Sequence, residues 1–370
     1  MNIKELLRFV VYAPGGAFRR DITVDGSADV VPNGISVAEF TLDDDDPALQ
    51  AVTADGARCA VWFRGVELFR GAITSTPGEG PYGTVEAHID SDMRKLWQWF
   101  VWPVPDADLD HQSEEFRAFT NVKSELIFKT VLQETLDRLD IPWTVAPDHG
   151  YGTAKSVELR FHSIGDKVLP LLVEDGLIVT FEYDPVTGVP TVDVRQPDTV
   201  PGRLTLESGV PDSYKFNRAW PTATRVIVGG PGDGVDREFT QVVDSAREAT
   251  WGDIIEGFVD AGNTGEDTDL AAEAQAALNA AAPTVSVSTE LVETERFRYL
   301  QTYREGDLVR VKVGPVDVTQ PITKVSITSS FEQGTVVTPT VGDVDGDDEN
   351  VQLWRQVGRL AKGQRDQGRR

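Results

Sequence analysis

A chain of 370 residues with 40% hydrophobic side chains and eight tryptophans can build roughly two to four compact units and is not a disordered polymer. Sixty Asp and Glu against 35 Lys and Arg leave a formal charge of −25. That charge argues against a nucleic-acid binder, because phosphates would be repelled; it suits a protein kept soluble by its charge, or one past which DNA slides without sticking. Cys59 is the single cysteine, which excludes a disulfide framework and a thiolate metal cluster, and no apolar run approaches the ~20 residues that span a bilayer.

The N-terminal apolar run follows an early acidic residue, Glu5, and is too short for a signal peptide, so folding in a reducing cytoplasm is expected. Residues 3–100 read as strands: Phe9–Tyr12, Val37–Leu42, Cys59–Phe63, Glu67–Ile73 and Thr84–Ile89 are short, rich in β-branched or aromatic residues and separated by turn residues. Gly65 sits between two of them as a tight hairpin, and the spacing favours a closed barrel or a sandwich. Cys59 lies in a strand-like run and is expected to be a buried, inert thiol. Asp43–Asp46 before Pro47 lacks the spaced pattern of a calcium loop; it reads as a solvated acidic turn that caps a short helix at Pro47–Leu49.

Trp97, Trp99, Phe100 and Trp102 form an aromatic cluster that ends at Pro103 and Pro105. Flat rings of this kind serve either as a sugar-stacking platform or as a packed hinge at a domain boundary, and both readings stay open here. Beyond it the pattern changes. Ser124–Leu139 is an amphipathic helix with the stripe Leu126, Ile127, Val131, Leu132, Leu136 and Leu139, stopped by Pro142. Ser163–Gly176 reads as a second helix, capped by Ser163, ended by Gly176, and kinked or split by Pro170. Leu177–Tyr183 and Val189–Val194 flank a hairpin, completing a small α+β unit.

Val226–Gly234 places glycines after a strand, yet Pro231 interrupts them, no Lys-Ser/Thr follows, and Val235–Val243 reads as another strand, so a strand-joining turn is expected instead of a nucleotide loop. Asp269–Ala282 is an alanine-rich helix ended by Pro283, expected to cross between strands of a C-terminal β unit. That unit closes with Leu308–Val313, Ile322–Thr328 and Thr335–Gly342, punctuated by turns at Gly306-Asp307 and Gly314-Pro315. Asp343–Glu349 reads as an acidic linker, since Trp354 occupies the position where a calcium loop carries Glu. The stripe Val351, Leu353, Trp354, Val357, Leu360 and Ala361 then runs beside Arg355, Arg359, Lys362, Arg365, Arg369 and Arg370. A basic amphipathic tail on so acidic a chain either docks on an acidic partner or frays as a solvated terminus.

No catalytic or metal signature emerges. His88, His111, His149 and His162 show no metal-ligand spacing, and neither a Gly-x-Ser-x-Gly elbow nor a zinc-protease helix is present. Paired carboxylates abound in any chain this acidic, so a glycosidase pair is neither supported nor excluded.

The phrases Gly34–Leu42 with Asp43–Leu49, Ala60–Gly65 with Leu68–Gly71, Trp220–Gly230, Trp251–Glu256, Tyr303–Val313 and Thr338–Gly342 together resemble the minor tail proteins of actinobacterial siphophages, in the baseplate-hub or tail-associated family. The resemblance covers residues 5–342 and rests on structural phrases, not on catalytic signatures. It implies an α+β, mainly β fold: a first tube-like β-barrel over 1–103, an α+β insert over 104–205, a second barrel with its crossing helix over 206–342, and an acidic linker with a short C-terminal helix over 343–370. It implies a non-enzymatic homotrimer at the virion tail tip, assembled in the host cytoplasm. The partners implied are the distal tail protein, the tape-measure protein and other tail-tip proteins, with DNA only in passage and no stable membrane insertion. No cofactor, catalytic residue or metal ligand is implied. Some relatives carry a C-terminal peptidase or lysozyme-like domain; the chain read to Arg370 shows none, so lytic activity is not expected. Residue chemistry keeps two rivals in view, a glycan-binding tail protein using Trp97, Trp99 and Trp102, and a cell-wall hydrolase.

Overall fold

The computed structural model describes residues 5–232, 237–261, 270–314 and 316–342. The predicted C-terminal helix, with Trp354, Arg355, Arg359, Lys362, Arg365, Arg369 and Arg370, lies outside them. Strand accounts for 43% and helix for 19%, so the fold is mainly β as expected. Compactness divides the chain into one unit of residues up to Tyr214 with those from Ser288 on, and a second of Lys215–Val287.

In the first unit the earliest and latest strands share one sheet. Arg8–Tyr12 pairs with Phe18–Ile22 and with Arg58–Phe63. Arg58–Phe63 turns at Arg64 and Gly65, both at positive φ (50° and 81°), into Val66–Ser75. Glycine meets that geometry without the Cβ clash that other residues suffer, which is why Gly65 marked the hairpin in the sequence. Val66–Ser75 pairs with Thr84–Ser91, which pairs with Val37–Asp43, which pairs with Gly26–Val30. Gly26–Val30 then pairs with the 15-residue strand Val316–Ser330, whose other partners are Leu308–Val313 and Gly334–Val341. This junction places Val30 opposite Val325 and Ala28 opposite Ile327, about 300 residues apart in sequence. The order of pairing runs as an open path and traces no closed barrel among the described residues. The polar interruptions hid two strands from sequence reading: Phe18–Ile22 carries two arginines and an aspartate, and Gly26–Val30 opens on Gly-Ser.

Alternation along these strands buries one face. Ala38, Phe40 and Leu42 join Ala87, Ile89, Ala28, Val30, Val325 and Ile327 in the core, with Phe9 against Phe40 at 4.6 Å between ring centres. Cys59 is fully buried there, and burial pushes its thiol far above the ordinary range, which makes it inert.

The insert has its own core around the Ser124–Leu139 helix, which packs with Arg117–Lys123 and Leu169–Glu174. The expected stripe is corrected at both ends: Leu126 and Leu139 are 41% and 40% exposed, whereas Phe128, Glu125 and Lys129 are buried. A helix flanked on two sides buries a wider arc than one apolar stripe, and charged residues enter it when they find partners. The second predicted helix splits into Ile164–Lys167 and Leu169–Glu174, with Pro170 in the first turn of the second piece, where its missing N–H is not needed. Ser163 caps the first piece by accepting from the Asp166 amide at 3.1 Å.

In the second unit, Arg225–Gly229 is the centre of a three-stranded sheet, antiparallel to Phe239–Val243 and parallel to Glu256–Asp260. The strand-joining turn expected after Gly229 is found, with the Gly230 amide donating to Glu238 O at 2.8 Å. The connection to the parallel strand carries a short helix, Ser245–Trp251, that the sequence did not announce. The alanine-rich helix, Leu270–Ala280, packs Ala274 and Leu278 against Val226 and Val228. It therefore belongs to this separate compact unit, which corrects its expected place between strands of the C-terminal β unit.

Candidate functional site

Period-two alternation that buries one face of the first unit's sheet sets its opposite face outward. Across that face the register aligns Thr338, Ser326 and Asp29, then Val37 and Asp90. The adjoining row aligns Val336, Thr328, Ser27, Glu39 and His88. Thr41 lies opposite Glu86, and Asp43 opposite Thr84. Carboxylates at Asp29, Glu39, Asp43, Glu86 and Asp90 thus stand among Ser and Thr hydroxyls, on strands drawn from both ends of the chain.

The basic groups at these rows are His88, Lys324, which lies 3.8 Å from Asp29, and Arg58, where the first row continues through Ala72. His88 stands between two carboxylates, with Nδ1 2.8 Å from Glu39 and Nε2 3.6 Å from Glu86. Its two nitrogens face different acids: only the Glu39 contact is a hydrogen bond, and Glu86 stands beyond hydrogen-bond distance on the other side of the ring. Glu125, His149 and Asp193 form a second acidic trio, but Lys129 Nζ, 2.8 Å from Glu125 and 2.7 Å from Asp193, supplies the positive charge there. Burial alone would raise the Glu125 carboxyl; the Lys129 ammonium and the amides of His149 and Tyr151 outweigh it and hold the group below the usual carboxylate range. A third trio, Asp108, Asp110 and His111, is fully solvated.

Buried polar joints hold the segments that carry the acidic face. Asn33, at φ 53°, donates to Leu177 O at 2.7 Å and accepts from the Val179 amide at 2.8 Å, so one amide side chain completes the edge of the insert's hairpin. Tyr183 OH lies 3.1 Å from both Arg70 O and Asp92 Oδ2, and Asp92 also takes Arg58 at 2.5 Å. Arg70 stacks over both Tyr12 and Tyr183, 4.6 and 4.9 Å from the ring centres. Arg195 Nη1 meets Asp307 at 2.8 Å. These joints were invisible in sequence, since nothing local marks a charged residue whose partner lies a hundred residues away.

The aromatic cluster resolves as packing. Trp99 is buried against Trp143 at 4.9 Å, Trp97 lies so close to Gly165 that a Cβ there would sit 2.5 Å from the indole, and Arg138 covers Trp102 at 4.3 Å. A sugar-binding face needs free ring faces, which this arrangement does not offer. The acidic turn forms, but the helix after it is Leu49–Val52, with Ala48 at its N-cap and no side-chain cap, which corrects the expected capping: Asp46 accepts from the Ala48 amide at 2.7 Å ahead of the helix, and Asp44 from the Tyr82 amide at 2.7 Å. An open depression of about 350 Å³ beside the long helix contains Glu134, Asp137 and Asp148; Glu134 is held by Arg117 at 2.6 Å and Asp137 accepts from Gln133 at 2.7 Å. No described helix is long and apolar enough to cross a membrane.

Three solved structures share this mainly β fold. The 43 kDa tail protein of prophage MuSo2 from Shewanella oneidensis aligns over 90% of this chain and 98% of its own, at TM-score 0.58 and 14% identity. A tail protein from Neisseria meningitidis MC58 aligns over 91% and 97%, at 0.56 and 12%. Prophage tail protein gp18 from Listeria monocytogenes EGD-e aligns over 96% and 99%, at 0.54 and 11%. No curated protein matches the sequence. Residues 25–343 match the model of the siphovirus ReqiPepy6 Gp37-like protein family, and the chain belongs to that family.

Proposed function

We propose that this chain is a baseplate-hub protein of a long-tailed phage, joining the tail tube to the tip and lining part of the DNA exit channel with its acidic sheet face. The observation that carries the reading is that face itself: carboxylates and hydroxyls with few cations and few large apolar groups, on strands contributed by both ends of the chain. Such a wall repels phosphates and offers DNA no lasting contact. The strands of 8–91 and of 308–341 act as two tube-like halves joined edge to edge at Asp29 and Ser326, so three copies would present six similar segments to a six-fold tube. The distal tail and tape-measure proteins are its neighbours in this reading, assembly takes place in the host cytoplasm, and its role is structural, without enzymatic activity.

The test is charge reversal in the virion. Replacing Glu39, Glu86 and Asp90 together by Lys should leave tails assembled while slowing DNA release at low salt, with recovery as salt screens the new contacts. Normal ejection kinetics, or a reconstruction of the tip in which this face packs against protein, would overturn the channel role. A chain mass of three copies in the isolated hub supports the trimer.

A further inference from the structure

Among the described residues of the Lys215–Val287 unit, the sheet is covered on one face only. The helix Leu270–Ala280 packs on the side of Val226 and Val228. By alternation and register, Phe239, Gln241 and Val243 share the other side with Ile227 and Phe258. Phe239 and Phe258 are 56% and 58% exposed, and each stands within one strand of Ile227 at the middle of the sheet. Ile254, just before the parallel strand, is also exposed. Arg225 and Arg237 are occupied by Glu248 and Asp260, while Glu238, Asp253 and Glu256 are exposed around the patch. Two solvated phenylalanines on a sheet face mark a surface that buries against something.

Charge selects the occupant. Residues 215–287 hold twelve Asp and Glu against five Lys and Arg. Residues 351–370 hold six Lys and Arg against one Asp, and their apolar members Leu353, Trp354, Val357, Leu360 and Ala361 recur at helical spacing. We propose that the basic amphipathic segment 351–370 of a neighbouring copy docks on the Phe239–Phe258 sheet face. Its apolar stripe covers the two phenylalanines and Ile227, and its arginines meet the acidic rim. Docking of this kind ties each copy to the next without using the acidic face proposed for the channel. It rests on the assembly of several copies but not on the channel, and a failed ejection test leaves it standing.

Because Cys59 is buried and inert, a single engineered thiol reports on the face. Gln241→Cys lies among the exposed apolar groups and removes none of them. In the full chain, thiol labelling of this variant should be slow at concentrations where copies associate. It should accelerate at least tenfold on dilution to monomer, and likewise when Trp354→Asp and Leu360→Asp are added. An unchanged circular dichroism spectrum verifies that the tail substitutions leave the fold intact. Fast labelling at all concentrations, or slow labelling indifferent to the tail substitutions, overturns the docking. Slow labelling that depends on the tail but persists in the monomer overturns the neighbouring copy as its source. Mass measured on the same samples separates failure of assembly from failure of docking: association with a freely labelled face removes only the latter.

Discussion

Arg64 and Glu293, 229 residues apart in sequence, meet in a two-point ion pair, Nη1 to Oε1 at 2.9 Å and Nη2 to Oε2 at 2.6 Å. Arg64 also donates to Tyr299 O at 3.1 Å, and the Tyr299 amide donates to Glu293 at 2.6 Å. The pair pins the tip of an N-terminal hairpin to the loop that leads into the last strands. Both side chains are mostly shielded from water, so removing one leaves the other's charge without a partner. Glu293→Gln should cost about 3 kcal/mol in urea unfolding. Replacing both with Met and Gln should recover part of that loss, and a double variant no better than the single one would contradict the pairing.

Acid should loosen the insert first. Asp193 and Asp175 both titrate below the usual range, each against the opposing effect of burial: Lys129 and the Val194 amide hold Asp193 down, and Ser124 and Thr153 hold Asp175 down. With Glu125 these carboxyls ionise more easily in the folded chain than in the unfolded one. As pH falls, the unfolded chain takes up protons first, so their contribution is full above about pH 4.5 and is lost as pH drops toward the folded values. Denaturant midpoints measured between pH 7 and 3 should show the decline, and Asp175→Asn should flatten it while lowering stability at neutral pH.

Gly71 sits so near the paired strand that a Cβ there would overlap the carbonyl of Asp90. Backbone cannot yield as a flexible side chain does. Gly71→Ala should therefore break the pairing of Val66–Ser75 with Thr84–Ser91 and yield mostly insoluble chain, whereas Gly65→Asn, at an open turn with φ 81°, should remain soluble and folded. Soluble yields of the two variants expressed side by side decide it.

Tyr183→Phe removes one hydroxyl from a closed polar joint. Asp92 is almost wholly buried, and its Oδ2 takes two donors, Arg58 and the Tyr183 phenol, so losing the phenol leaves a buried carboxylate short of one partner. About 1–3 kcal/mol of destabilisation is expected in thermal or urea unfolding. An unchanged midpoint would mean that the hydroxyl contributes nothing at this joint.

Much of the local structure was legible in the residues. Ser124–Leu139 begins and ends where its apolar spacing and Pro142 placed it, Pro170 splits the next helix, alternation marked Leu308–Val313 as a half-buried strand, and Val37–Leu42, read as a strand from its residue types, is one to within a residue. These features depend on neighbours within a few residues, and side-chain period and backbone constraint are written locally. The acidic composition was equally plain.

Which strands become neighbours was decided only in three dimensions. Nothing in Gly26–Val30 states that Asp29 will stand beside Ser326, and neither segment alone shows that the two complete a single acidic face. Glu125 and Lys129 stand outside the apolar stripe that the sequence marks, yet they are buried because Asp193 and the amides of His149 and Tyr151 come to meet them. The alanine-rich helix was correctly found and wrongly placed, because propensity fixes where a helix forms while its partner depends on which apolar face is left uncovered. Periodicity says which side of an element seeks cover; long-range pairing, governed by cooperative burial and by the partners that buried charges require, says what covers it.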